Sequence, residues 1–171
     1  MMVDSLEIYN LAKKFRKAIE QLKAKGGLKN DISMKCFPKG ACGDTAEMLG
    51  EYLLDKFGNQ IEIYYVCGTH YPNTGDDEKD FQGRQSHAWI SIGYPFESDS
   101  LIVDITGDQF RDNCEYDYYN HSVYVGELDE FHSLFEVEEC DVRRFYGIKE
   151  YPSWIQDSLY GIYSRIIGLI N

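Results

Sequence analysis

Residues 86–106 read SHAWISIGYPFESDSLIVDIT, two β-rich runs flanking a turn-forming segment. Ser86 to Ile92 and Leu101 to Thr106 carry the β-branched and aromatic residues that suit a pleated, half-buried surface. Gly93-Tyr94-Pro95-Phe96-Glu97-Ser98 has turn chemistry. The pattern predicts an antiparallel hairpin. With Ile92 facing Asp99 and Ile90 facing Leu101, Ala88 meets Val103 and His87 meets Asp104. Opposed residues share a sheet face, with Cβ atoms about 5 Å apart. Asp104 lies in the apolar run Leu101 to Ile105, where a carboxylate is costly without a partner. An imidazole opposite it supplies one, and the carboxylate would fix the ring's tautomer and orientation. The bland alternative is a satisfied strand histidine and a turn carboxylate; the facing partner favours the functional reading.

Outward from this hairpin, the pattern is helical on both sides. Asp4 or Ser5 can cap a helix whose apolar positions are Leu6, Tyr9, Phe15, Ile19 and Leu22, with Gly26-Gly27 as the stop. A second helix is predicted from Cys42 or Gly43, with Ala46, Leu49, Leu53 and Phe57 as one stripe. Ile61 to Cys67 reads as a strand, residues 71–86 as a polar mobile loop and Ser122 to Val125 as another strand. Residues 128–146 carry no clear period. Pro152 and Ser153 open a last helix with the stripe Ile155, Leu159, Ile162, Ile166 and Ile170. This order predicts one α+β domain over residues 1–171, with an antiparallel sheet and helices on one side.

Cys42 stands in Gly40-Ala41-Cys42-Gly43-Asp44-Thr45, at the expected helix start. The positive end of a helix dipole favours a thiolate, and so does a nearby imidazolium. The free amides of a first helical turn can hold a developing oxyanion, and flanking glycines leave room for a substrate. From position alone, a buried structural cysteine is an equal reading.

Composition narrows the function class. Lys and Arg number 17 against 29 Asp and Glu, a formal charge of −12. Such a chain is repelled on average by nucleic acid and by anionic membranes. The apolar C-terminal run contains Gln156, Asp157, Ser158 and Arg165 and does not read as a membrane span. The first residues lack the pattern of a signal peptide, and the five cysteines are an odd number, so the expectation is a reducing cytoplasm without a disulfide framework.

Gly40-x-Cys42-Gly43-Asp44 at a helix start, Ser86-His87-Ala88-Trp89 on a strand and Val103-Asp104-Ile105-Thr106 on the next together resemble the papain-like superfamily in its transglutaminase-like branch. The resemblance spans residues 36–110. It implies a papain-like core and a catalytic triad of Cys42 as nucleophile, His87 as base and Asp104 as orienter. It also implies a thioester formed from an amide or ester carbonyl, no cofactor, and a peptide or protein substrate handled by a peptidase, deamidase or transglutaminase. The helix-start amides at Cys42 and Gly43 would supply oxyanion donors. Gln109 is a further candidate polar group, although a surface glutamine is the plainer reading. Trp89, on the face of His87, can shield the triad or simply belong to the core.

Two rivals stand beside this. One is a non-catalytic binding module on the same fold. The other is a zinc site built from Cys67 and His70 together with Cys36 and Cys42, provided the two pairs meet in space. His121 and His132 lie in weakly patterned segments and read as surface residues. Cys114 and Cys140 read as inert thiols.

Overall fold

The computed structural model describes residues 4–112 and 121–171; Cys114 lies outside them. Among the described residues the fold is α+β, with helices α1 (Ser5–Ala24), α2 (Cys42–Phe57), α3 (Asp77–Gln82) and α4 (Ser153–Ile170). The strands are β1 (Ile63–His70), β2 (Gln85–Ile92), β3 (Leu101–Asp104), β4 (Tyr124–Gly126) and β5 (Val142–Arg144). They form one antiparallel five-stranded sheet in the order β4-β3-β2-β1-β5.

Asp4 caps α1, its carboxylate accepting from the Leu6 N–H at 2.9 Å. The buried stripe of α1 runs through Ile8, Ala12, Phe15, Ile19 and Leu22, while Leu6 faces solvent, contrary to the stripe expected from the sequence. The α2 stripe Ala46, Leu49, Leu53 and Phe57 is buried, as is the middle of the α4 stripe, Leu159, Ile162 and Ile166. Helices α1 and α2 cover one face of the sheet, meeting Ile63, Ile90 and Val103 in the main core, and α4 packs on α1 and α2. The pleat sends the intervening residues to the other face. There Val66, Trp89 and Ile102 pack under Phe131 and Phe135, so the chain over residues 131–137 forms the second cover.

Three expectations need correction. Strand β2 pairs with β3 as Ile90 to Val103 and Ile92 to Leu101, not Ile90 to Leu101. Two successive turns, Glu97 N–H to Tyr94 C=O and Ser100 N–H to Glu97 C=O, lengthen the connection and move the register by two residues. A two-residue slip keeps every side chain on its face, so His87 and Asp104 become diagonal rather than direct neighbours. Next, residues 71–86 are not simply a loop: they contain α3, whose N-cap Asp76 accepts from the Lys79 N–H. Finally, residues 128–146 supply the edge strand β5 and a short 3-10 turn, His132–Leu134, neither of which has a sequence period.

Gly68 is opposite His87 in the β1–β2 register. A Cβ at Gly68 would come within 2.7 Å of the Phe135 Cβ and 3.1 Å of the Trp89 ring, so only glycine lets the aromatic cover close there. After β3 the chain is held by Arg16 of α1. Its guanidinium makes a two-pronged, buried contact with Asp108, Nη1 to Oδ1 at 2.8 Å and Nη2 to Oδ2 at 2.9 Å. This anchor fixes the 3-10 turn Gly107–Phe110 and with it Gln109.

Candidate active site

Strand β3 pairs with β2 only through Ile90, Ser91 and Ile92. Among the described residues, the first half of β2 therefore has no strand on that side, and the chain after Asp104 turns away into Gly107–Phe110. The turn leading into α2 enters this opening. Gly40 takes φ +67°, a left-handed conformation suited to glycine, and its N–H donates to Gln109 Oε1 at 3.1 Å. Ala41, the N-cap of α2, offers no side-chain acceptor, so the first-turn amides of Cys42 and Gly43 have no capping side chain. Cys42 is half-buried, and the His87 ring, the Ala88 N–H and the Gln109 amide lie near enough to its thiol to favour the thiolate.

His87 is fully buried, with no exposed surface. Its ring is packed among Trp89, Phe110, Phe131 and Phe135, with centroid separations of 5.2–5.9 Å. Nε2 donates to Asp104 Oδ2 at 2.8 Å. The other nitrogen, Nδ1, is 3.3 Å from Gln109 Nε2. The Gly40 N–H fixes Gln109 Oε1 as acceptor, so Nε2 of that amide must face the space shared by His87 and Cys42. Gln109, a secondary candidate by sequence, is thus part of the site, and Trp89 lies 5.6 Å from the His87 ring, centroid to centroid.

Asp104 is 2 % exposed. Its Oδ1 accepts from the Thr106 N–H at 2.8 Å and from the Thr106 hydroxyl at 3.2 Å. Its Oδ2 accepts from both His87 and His132, the latter at 3.2 Å. His132 is 1 % exposed, which corrects its reading as a surface residue. Its Nδ1 meets Asp129 Oδ1 at 2.6 Å, and its backbone N–H caps onto the same oxygen at 2.8 Å. The signal available in the sequence was Asp129 three residues before a histidine set between Phe131 and the Leu134-Phe135 pair; no periodicity marked it. His121, by contrast, is exposed beside Tyr124.

Charge organises these groups. Burial opposes thiolate formation at Cys42, but the hydrogen bond and charge of His87, with the Ala88 and Gln109 donors, outweigh it and hold the thiol below its ordinary value. Burial likewise opposes a charged His87, yet the facing Asp104 and the Cys42 thiol lift it to about 9. Desolvation would raise Asp104, but the charge of His87 and the hydrogen bonds from His132 and His87 keep its carboxyl far below the usual range. Cys67 moves the other way, raised by burial and by the charge of Cys42. Cys140 is exposed, and its thiol is raised by Asp141.

The rival zinc arrangement, Cys67 and His70 with Cys36 and Cys42, is not gathered among the described residues. Residues three apart on β1 point to opposite faces. His70 lies on the aromatic side, with Nδ1 3.1 Å from the Leu134 carbonyl. Among the described residues, the donor set that gathers is His87, Asp104 and His132, all buried. Its contacts are N–H to carboxylate hydrogen bonds. To bind a metal, both rings would have to surrender their Nε2 protons.

No protein-family model, curated protein or solved structure matches the chain.

Proposed function

We propose that this protein is a cysteine-nucleophile enzyme that acts on amides through a thioester, with a papain-like core of the transglutaminase-like kind. One observation carries the reading. A fully buried imidazole, its Nε2 held at 2.8 Å by a buried carboxylate, acts on a half-buried cysteine at the start of α2 and holds that thiol below its ordinary value.

The chemistry follows from the placement. The Cys42 thiolate adds to the carbonyl carbon of a peptide bond or a glutamine side chain. The oxygen becomes negative and is stabilised by the first-turn amides of α2 and by the Gln109 Nε2–H group. His87 passes its Nδ1 proton to the departing amine, the C–N bond breaks, and a thioester remains on Cys42. Water, or a second amine in a transamidase, then attacks the thioester with His87 as base. Asp104 keeps Nε2 protonated throughout, so Nδ1 is the nitrogen that exchanges protons. A binding module on the same fold is the rival reading. The pairing of a lowered thiol with a raised imidazole favours the enzyme, because a binding surface has no need of a buried ion pair.

The rate of Cys42 alkylation by iodoacetamide, followed against pH by peptide mapping, tests this. The thiolate–imidazolium pair exists above the pKa of Cys42 and below that of His87, so reactivity should rise in two steps. The first belongs below the ordinary thiol value of about 8.5. The second accompanies loss of the His87 proton near 9. The two values belong to the coupled pair. A single step at the ordinary value would contradict the proposal. Gln109→Glu keeps an oxygen for the Gly40 N–H but replaces the donor at Nε2 with an acceptor. It should lower kcat by about 10²–10³-fold with little change in KM. An unchanged kcat would remove Gln109 from the oxyanion site.

A further inference from the structure

Behind the His87–Asp104 pair lies a second pair that the triad chemistry does not call for. His132 sits with Nε2 3.2 Å from Asp104 Oδ2 and Nδ1 2.6 Å from Asp129 Oδ1. An ionised carboxylate can only accept, so each of these contacts needs a proton on the imidazole nitrogen. The two Thr106 donors on Oδ1 and the His87 donor and charge at Oδ2 favour an ionised Asp104. Asp129 Oδ1 also accepts the His132 backbone N–H at 2.8 Å, which fixes that carboxylate in place. The His132 side chain has no exposed surface.

We propose that His132 is a permanently charged imidazolium, clamped between Asp104 and Asp129, that positions Asp104 behind His87 and limits how tightly His87 holds its proton. The inference rests on the enzyme reading above and adds a positioning pair to it. The order of charges is then thiolate, His87, Asp104, His132, Asp129, alternating in sign through three buried groups to a partly exposed carboxylate. An orienting carboxylate facing a single histidine would bind that proton strongly and leave His87 a poor acid toward the departing amine. A second imidazolium on the same oxygen draws off part of that charge. It also fixes the carboxylate from a direction that neither His87 nor Thr106 covers. Around His132 lie the His87 ring at 6.2 Å and the Tyr124, Trp89 and Phe131 rings at 5.1–5.2 Å, centroid to centroid. Among the described residues, Asp129 is the carboxylate that meets Nδ1.

Asp129→Asn separates charge from shape, because asparagine retains an oxygen for the His132 backbone N–H. In the full-length wild-type chain labelled with ¹⁵N-histidine, both ring nitrogens of His132 should carry protons at neutral pH, above the free imidazole value of about 6.5. In Asp129→Asn the retained oxygen still accepts from Nδ1, but without the carboxylate charge one of these protons should leave at a lower pH than in the wild type. The second step of the Cys42 alkylation profile should then move up by about one pH unit, because a positive charge near His87 has gone. Asp129→Glu should restore the wild-type profile. A purely structural Asp129 would lower stability and leave the step where it is. A neutral His132 in the wild type, or an unmoved second step, overturns the inference while Cys42 still shows its two-step reactivity. If the wild type shows one ordinary thiol step, the enzyme reading itself has failed.

Discussion

Replacing Cys42 with alanine should abolish amide turnover, by on the order of 10⁴-fold or more, while leaving the fold in place. The thiol is half-buried, and the change removes a single sulfur atom at a helix start. Stability measured by urea unfolding should therefore move by no more than about 1 kcal/mol. His87 would keep its bond to Asp104, and the aromatic residues packed on its ring would remain. Loss of activity with an unchanged unfolding curve assigns the chemistry to the sulfur. Retained activity would mean that another group attacks the substrate.

Asp104→Asn should be as damaging to rate, for a different reason, and should also cost stability. Thr106 donates two hydrogen bonds to Oδ1, so the amide oxygen of asparagine must take that position. Its NH₂ group then replaces Oδ2 and points at the Nε2 atoms of both His87 and His132. Donor would face donor. His87 can escape only by moving its proton to Nδ1, the nitrogen that must accept the thiol proton. A rate loss of about 10⁴-fold is expected from the inverted tautomer. Leaving His132 without its acceptor adds about 1–3 kcal/mol of destabilisation. Paired kinetics and urea unfolding separate the two effects. A variant with wild-type kcat would show that the carboxylate does not orient His87.

The pH dependence of stability carries the same network. His87 has a folded-state value near 9, above the free value, so its contribution is complete below about 6.5 and is lost as pH rises through 9. Asp104 is depressed, so its contribution is present above the free carboxyl value and fades as pH falls below it.

Much of this arrangement was written in local sequence. The start of α2 at Cys42 followed from a glycine-flanked cysteine ahead of a clean apolar stripe. The faces of His87 and Asp104 followed from strand alternation, which survived a two-residue error in register because the period of a strand is two. The error itself came from the connection 93–100, where two turns in series left no single turn type to read. His132 was hidden for a different reason. Its partner Asp104 lies 28 residues away, and its burial comes from Phe131 and Phe135 folding back onto the sheet. Nothing in a window around it has a helix or strand period. Strand β5 is similarly short, and its Arg143 and Arg144 side chains gave no apolar signal. Arg16 looked like one more charge on an amphipathic helix, and only the tertiary fold reveals Asp108 as its partner.

The central claim is that Cys42 forms an acyl-enzyme assisted by His87. Intact-protein mass spectrometry after incubation with a panel of activated acyl esters and amides tests it most directly. The account predicts one acyl adduct per chain, mapped to Cys42, cleaved by hydroxylamine as thioesters are, and absent from the Cys42→Ala and His87→Ala proteins. Acylation spread evenly over Cys36, Cys67 and Cys140, or found anywhere but Cys42, would contradict it.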